Sequence, residues 1–159
     1  MTTTTTGATT GATDATTGTS PVRLYNWQLR FEAFMRERFA TPFAWGSNDC
    51  CTFAADCVLA LTGVDVAPPA LRLHRTQAQA ADALAAHGGV QRIARAALGA
   101  PLPPHRAGVG DVVLVRMPDA TGTPQKALAI CNGCIALAPS SLGLVPVSLR
   151  DAICCWRVG

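Results

Sequence analysis

Pro42-Phe43-Ala44-Trp45-Gly46-Ser47-Asn48-Asp49-Cys50-Cys51-Thr52-Phe53 is the stretch on which the reading of this chain turns. Pro42 and Gly46 bar a helix, so Phe43, Ala44 and Trp45 belong to a loop. Asp49 then stands directly before a run of good helix formers. Cys50 to Leu61 reads as a buried helix, capped by Asn48 or Asp49 and closed by Gly63. Cys50 therefore falls at a helix N-terminus, where free amides and the helix dipole stabilise a thiolate. A rigid approach, an exposed sulfur and a fixed backbone behind it are what a cysteine nucleophile needs.

Upstream, Trp27, Leu29, Phe31, Phe34, Met35 and Phe39 recur mostly at helical spacing among charged residues, so Asn26 to Phe39 is an amphipathic helix. Downstream, Thr76 to Ala86 and Val90 to Leu98 are two shorter helices, each ended by glycine. Beyond the rigid Pro101, Pro103 and Pro104 connector the pattern becomes strand-like. Val112 to Arg116 is a β-branched run, and Met117 to Gln125 reads as a Pro- and Gly-rich loop. Lys126 to Cys131 and Cys134 to Ala138 flank Asn132-Gly133, a strong hairpin signal. Leu144 to Ser148 and Ile153 to Val158 supply two more strands. N-terminal helices followed by an antiparallel sheet make this an α+β domain.

Composition narrows the function classes. The chain has 159 residues, 49% of them hydrophobic, and a net charge of only +3; at roughly 100 to 200 residues per domain it is one globular unit. There is no dense basic stripe, and 6% aromatic content leaves too few rings for base stacking, so nucleic acid is not an expected partner. No stretch approaches the roughly 18 uninterrupted apolar residues of a membrane span. The first twenty residues hold eleven Thr. That composition predicts a disordered arm over residues 1–22 and a domain over 23–159, with no secretory signal, so synthesis in the cytoplasm is expected.

Seven cysteines in a reducing compartment point to metal binding, catalysis or burial before disulfides. Cys131 and Cys134 bracket a two-residue turn, a geometry that presents two sulfurs to one metal, and Cys154 with Cys155 would complete a four-thiolate zinc or iron-sulfur site. Adjacent strand residues point to opposite faces, however. The alternative is small apolar residues buried in the core, with no cofactor.

The segment Pro42-Phe43-Ala44-Trp45-Gly46 with Asp49-Cys50-Cys51-Thr52-Phe53 resembles the nucleophile region of the NlpC-type cell-wall cysteine peptidases, a papain-like superfamily. Gly110-Asp111-Val112-Val113 and the hairpin at Asn132-Gly133 resemble that family's sheet in the same order. From about Leu29 to Gly159 the arrangement is also similar to a family of small proteins of tailed phages and prophages. The resemblance implies a papain-like NlpC-type fold with Cys50 as the nucleophile; Trp45 and Asp49 are candidate substrate-groove residues, although Trp45 and Phe43 equally read as plugs between loop and sheet. It also implies a His at the start of the strand before the hairpin and a polar residue on the next strand. Lys126-Ala127-Leu128-Ala129-Ile130 and Ile135-Ala136-Leu137-Ala138 offer neither.

The three His residues have surface or helix-terminus readings: His74 in the connector after Pro68 and Pro69, His87 at a helix end, His105 after a Pro-rich turn. His105, nearest in sequence to Gly110-Asp111, is the candidate substitute base. Without an imidazole to protonate the leaving amine, amide cleavage is disabled. The resemblance thus implies a structural or assembly component of a phage tail, near its tip, with peptidase activity lost. On that reading the chain resides in the virion tail and its partners are other tail proteins of the hub or tip. The alternatives are an active hydrolase of peptidoglycan, and a Cys-rich metal-binding module.

Overall fold

A computed structural model describes residues 21–159, so the arm expected over residues 1–22 lies, but for its last two residues, outside the described part. Four helices precede five strands: α1 (Trp27–Arg38), α2 (Cys50–Thr62), α3 (Gln77–Ala86), α4 (Val90–Leu98), then β1 (Val112–Pro118), β2 (Pro124–Cys131), β3 (Ile135–Ser140), β4 (Gly143–Ser148) and β5 (Ala152–Trp156). The strands form one antiparallel sheet in the order β4-β3-β2-β1-β5. The α+β class expected from the sequence is the class observed.

The strand alternation divides the core between the two faces of the sheet. Val112, Leu114, Leu128 and Ile130 pack with Phe31, Phe34, Phe53, Leu61 and Trp156 in the layer shared with the helices. Val113, Val115, Ala129 and Cys131 face the other way, against Leu102 and Ala107 of the Pro-rich connector and Leu149. Burial on both faces explains why β1 opens with an unbroken apolar run, Val112 to Val115, instead of an alternating one. The connector also closes the outer edge of β5, where Leu102 and Cys155 exchange backbone hydrogen bonds at 2.7 and 2.9 Å.

The loop expected over Met117 to Gln125 is shorter than the composition suggested. The β1–β2 ladder runs on through Met117↔Gln125 and Pro118↔Pro124, leaving a turn in which the Asp119 carboxylate accepts from the amides of Thr121 and Thr123. Cys134, expected on a strand, lies in the hairpin turn, with the Asn132 amide donating to the Ile135 carbonyl.

One irregularity positions the site. β3 pairs with β4 at six positions but with β2 only at Ile130↔Leu137 and Cys131↔Ala136. From Ala129 back to Pro124 the two strands part, and the loop before α2 enters beside the opening, its Phe43 amide donating to the Ser140 carbonyl at 2.8 Å.

Candidate functional site

Asp49 is the N-cap of α2, and its carboxylate organises the junction. One oxygen accepts from the amides of Cys51 and Thr52 at 3.0 and 2.9 Å, while the Thr52 hydroxyl accepts from the Asp49 amide, completing a capping box. The other oxygen accepts from the Gly46 amide at 2.7 Å and from His74 Nε2 at 2.8 Å. A buried carboxylate holding four donors is a structural anchor; the substrate-groove role expected of Asp49 does not fit its 2% exposure. Gly46, at φ 74°, lies so close to the connector that a Cβ would fall 2.3 Å from the His74 carbonyl oxygen, so this position requires glycine.

His74 is the main correction to the sequence reading. It is not a surface residue of the connector: the side chain is 4% exposed, its Nε2 is on Asp49, and its Nδ1 is buried without a hydrogen-bond partner. Trp45 is half-buried, packed edge-on against Phe43 with ring centroids 4.7 Å apart and 6.1 Å from the His74 ring. No local pattern marks His74, which reaches the cap from 25 residues away. Its proximity to Leu71, which is fully buried, is the one feature that places this turn inward.

Further ties fix the loop. Asn48, the alternative cap, instead donates to the carbonyls of Thr41 and Pro42 and accepts from Arg38. Arg38 and Arg72 both bridge to Asp56 on α2 at 2.9 Å, joining α1 and the 3₁₀ turn Pro69–Arg72 to the cysteine-bearing helix.

Cys50 is the first residue of α2 and is half-buried, packed between the two core layers. The Cys131 backbone bonds Gly110 and Asp111, which lead into β1, so by the alternation of an antiparallel ladder the backbone of Leu128 points the other way, toward the side where β3 parts from β2. The Leu128 backbone there meets the Cys50 sulfur. The Cys51 sulfur lies 4.0 Å from that of Cys50. Hydrogen bonding from the Cys51 thiol holds the Cys50 thiol below its ordinary range against the opposing effect of burial, and backbone hydrogen bonding from Leu128 and Cys51 adds to it. Cys51, the proton-holding partner and itself buried, is pushed well up.

Among the described residues no imidazole hydrogen-bonds the Cys50 sulfur. His74 is on Asp49, His87 Nδ1 bonds the Ala83 carbonyl oxygen at the end of α3, and His105 is exposed in the 3₁₀ turn Pro104–Arg106. That turn packs on β5, which β1 separates from β2. On β2, Lys126 is exposed and reaches Gln91, while Ala127, Leu128, Ala129 and Ile130 are buried.

The four cysteines proposed as metal ligands are not brought together as one set, although Cys131 and Cys155 share a layer. Cys154 faces the helices and Cys155 the opposite layer, as strand alternation requires; Cys131 is buried and Cys134 exposed. Among the described residues, all seven thiols are free and no group of three or more His, Cys, Asp or Glu side chains is placed to hold a metal. Burial raises the thiols of Cys57 to about 12 and Cys155 to about 11. No helix among the described residues is long and apolar enough to cross a membrane.

A family model described as a domain of unknown function (DUF6950) matches residues 22–158, and the chain belongs to that family. No curated protein and no solved structure matches it.

Proposed function

We propose that this member of the DUF6950 family is a papain-like, NlpC-type domain that keeps an activated thiol, has lost amide hydrolysis, and serves as a structural or assembly component of a phage tail. The observation that carries the loss of hydrolysis is the environment of Cys50. Its sulfur is held by the Cys51 thiol and by backbone amides, and the strand where the resemblance expects a His presents Ala127, Leu128 and Ala129. A thiolate so held can attack an acyl carbon, but amide cleavage also needs a proton delivered to the departing nitrogen. The two hydrogen-bonded imidazoles have other partners: His74 is bonded to Asp49 and His87 to the Ala83 carbonyl.

The tail setting is supported by the resemblance in the Trp45-Gly46 and Asp49-Cys50 segment together with the helices-then-sheet order. Tail hub or tip proteins are its partners on this reading, with the virion tail its location. Purified virions, dissociated into heads and tails and probed for this chain, test it. The chain is expected in the tail fraction at constant stoichiometry; tails that assemble fully and infect without it overturn the structural role.

A further inference from the structure

At the end of α2 away from Cys50, a groove of about 360 Å³ runs between the segment that follows the helix and α4. Val66, Ala67, Pro68, Ile93 and Ala97 give it an apolar floor, and His87 and Arg92 line it near the start of α4. We propose that this groove binds a small aliphatic carboxylate, its head group on Arg92 and its chain along the floor. The 13 residues of α2 put roughly 20 Å between its ends, so the site is separate from Cys50 and stands whether or not Cys50 cleaves amides.

Charge decides the head group. Asp65, the one acid lining the groove, is already held: its oxygens accept from Arg72 at 3.0 and 3.2 Å and from the Ala67 amide at 3.0 Å. Arg92 is uncommitted, with no ion pair to its guanidinium among the described residues. Its stem folds over Gly88, where φ is 80° and a Cβ would fall 2.6 Å from Arg92 Cδ, so a glycine makes room for it. His87 bonds the Ala83 carbonyl through Nδ1, which leaves Nε2 as the free ring nitrogen. A guanidinium presents parallel N–H groups that match the two oxygens of one carboxylate, whereas an ammonium at the same place meets like charge.

The floor decides the rest of the ligand. Val66, Pro68, Ile93 and Ala97 also border an apolar hollow of about 30 Å³ between α2 and α4, walled on its far side by Ala54 and Val58. Hydrocarbon walls give water no partners there, and the space suits the methyl end of a short chain. The groove itself is of small-molecule size.

The test titrates the full-length, ¹⁵N-labelled chain with hexanoate, and with acetate and hexylammonium as controls, and follows amide shifts. Expected are saturable shifts with hexanoate, clustered over residues 65–68 and 87–97, with a Kd on the order of 1 mM as suits so small a ligand. Acetate lacks the chain and hexylammonium has the wrong charge, so neither should saturate these amides. Arg92→Gln, whose spectrum away from the groove checks the fold, should weaken hexanoate about tenfold, while Arg95→Gln and Cys50→Ala should bind as wild type does. No saturable shift with hexanoate overturns the proposal, as does equal binding of hexylammonium or undiminished binding by Arg92→Gln. Shifts clustered instead around Cys50 and Leu128 place the ligand elsewhere and also overturn it.

Discussion

His74 Nε2 lies 2.8 Å from Asp49 Oδ2 with both side chains buried, so the connector after α2 clamps the cap of the helix that carries Cys50. The carboxylate has two further duties, capping Cys51 and Thr52 and holding the Gly46 amide. Asp49→Ala removes the cap and strands several buried donors, and should cost about 3 kcal/mol. His74→Phe leaves Asp49 with its amide donors and should cost about 1 to 2 kcal/mol. Urea unfolding of both variants and the double mutant checks this, the double costing less than the sum because the residues share a bond. A cost for Asp49→Ala no greater than that of an exposed substitution contradicts the clamp.

The Cys51 thiol is the leading cause of the depressed Cys50 thiol. Its donor stabilises the thiolate, so removing it in Cys51→Ala should move the Cys50 ionisation upward and reduce the thiolate present at neutral pH. Iodoacetamide should then label Cys50 more slowly near pH 7, because less of it is present as thiolate. The rate-pH profile of the variant should sit to the right of the wild type; a leftward or absent displacement contradicts the assignment of donor and acceptor.

Burial separates the remaining thiols by access. In folded protein, alkylation mapped by mass spectrometry should find Cys50 and Cys134, and should find Cys57 and Cys155 only after denaturant is added, because both are wholly buried and their thiols lie at about 12 and about 11. Labelling of Cys57 at the same rate as Cys134 in native buffer is incompatible with α2 packed against the sheet.

The N-terminal side of the domain is tied to its last residues. Arg23 bonds the buried Asp111 at 2.9 Å and the Val158 carbonyl, and its guanidinium covers the Trp27 ring at 4.0 Å. Asp111 also accepts from the amides of Gly108 and Val158. Deleting residues 1–20 should move Tm by less than about 2 °C, whereas Arg23→Ala should cost about 2 to 3 kcal/mol by leaving Asp111 without its cation. Calorimetry on the two variants distinguishes them; a large loss in the deletion places essential contacts before residue 21.

The sequence patterns that carried the fold are those with local causes. Asp49 followed by helix formers placed α2 at Cys50, Gly89 and Gly99 bounded α4, and Asn132-Gly133 placed the hairpin. What was not legible depends on contacts between distant residues. A ladder already formed between β1 and β2 carries on through Pro118↔Pro124, so Met117 and Gln125 pair despite the Pro and Gly around them. His74 looks like a connector residue because its burial comes from Asp49 across 25 positions. The Leu128 backbone beside Cys50 has no side-chain signature at all, since it exists only because β3 diverges from β2. The aliphatic run of β2, with no His in it, was readable.

The central claim is that an activated Cys50 persists without amide hydrolysis, and digestion of purified peptidoglycan by the full chain tests it most directly, with released fragments identified by mass spectrometry. The account predicts no fragment beyond those seen with Cys50→Ala, even though Cys50 remains readily alkylated in the same preparation. Crosslink peptides released by the wild type and absent with Cys50→Ala would contradict it.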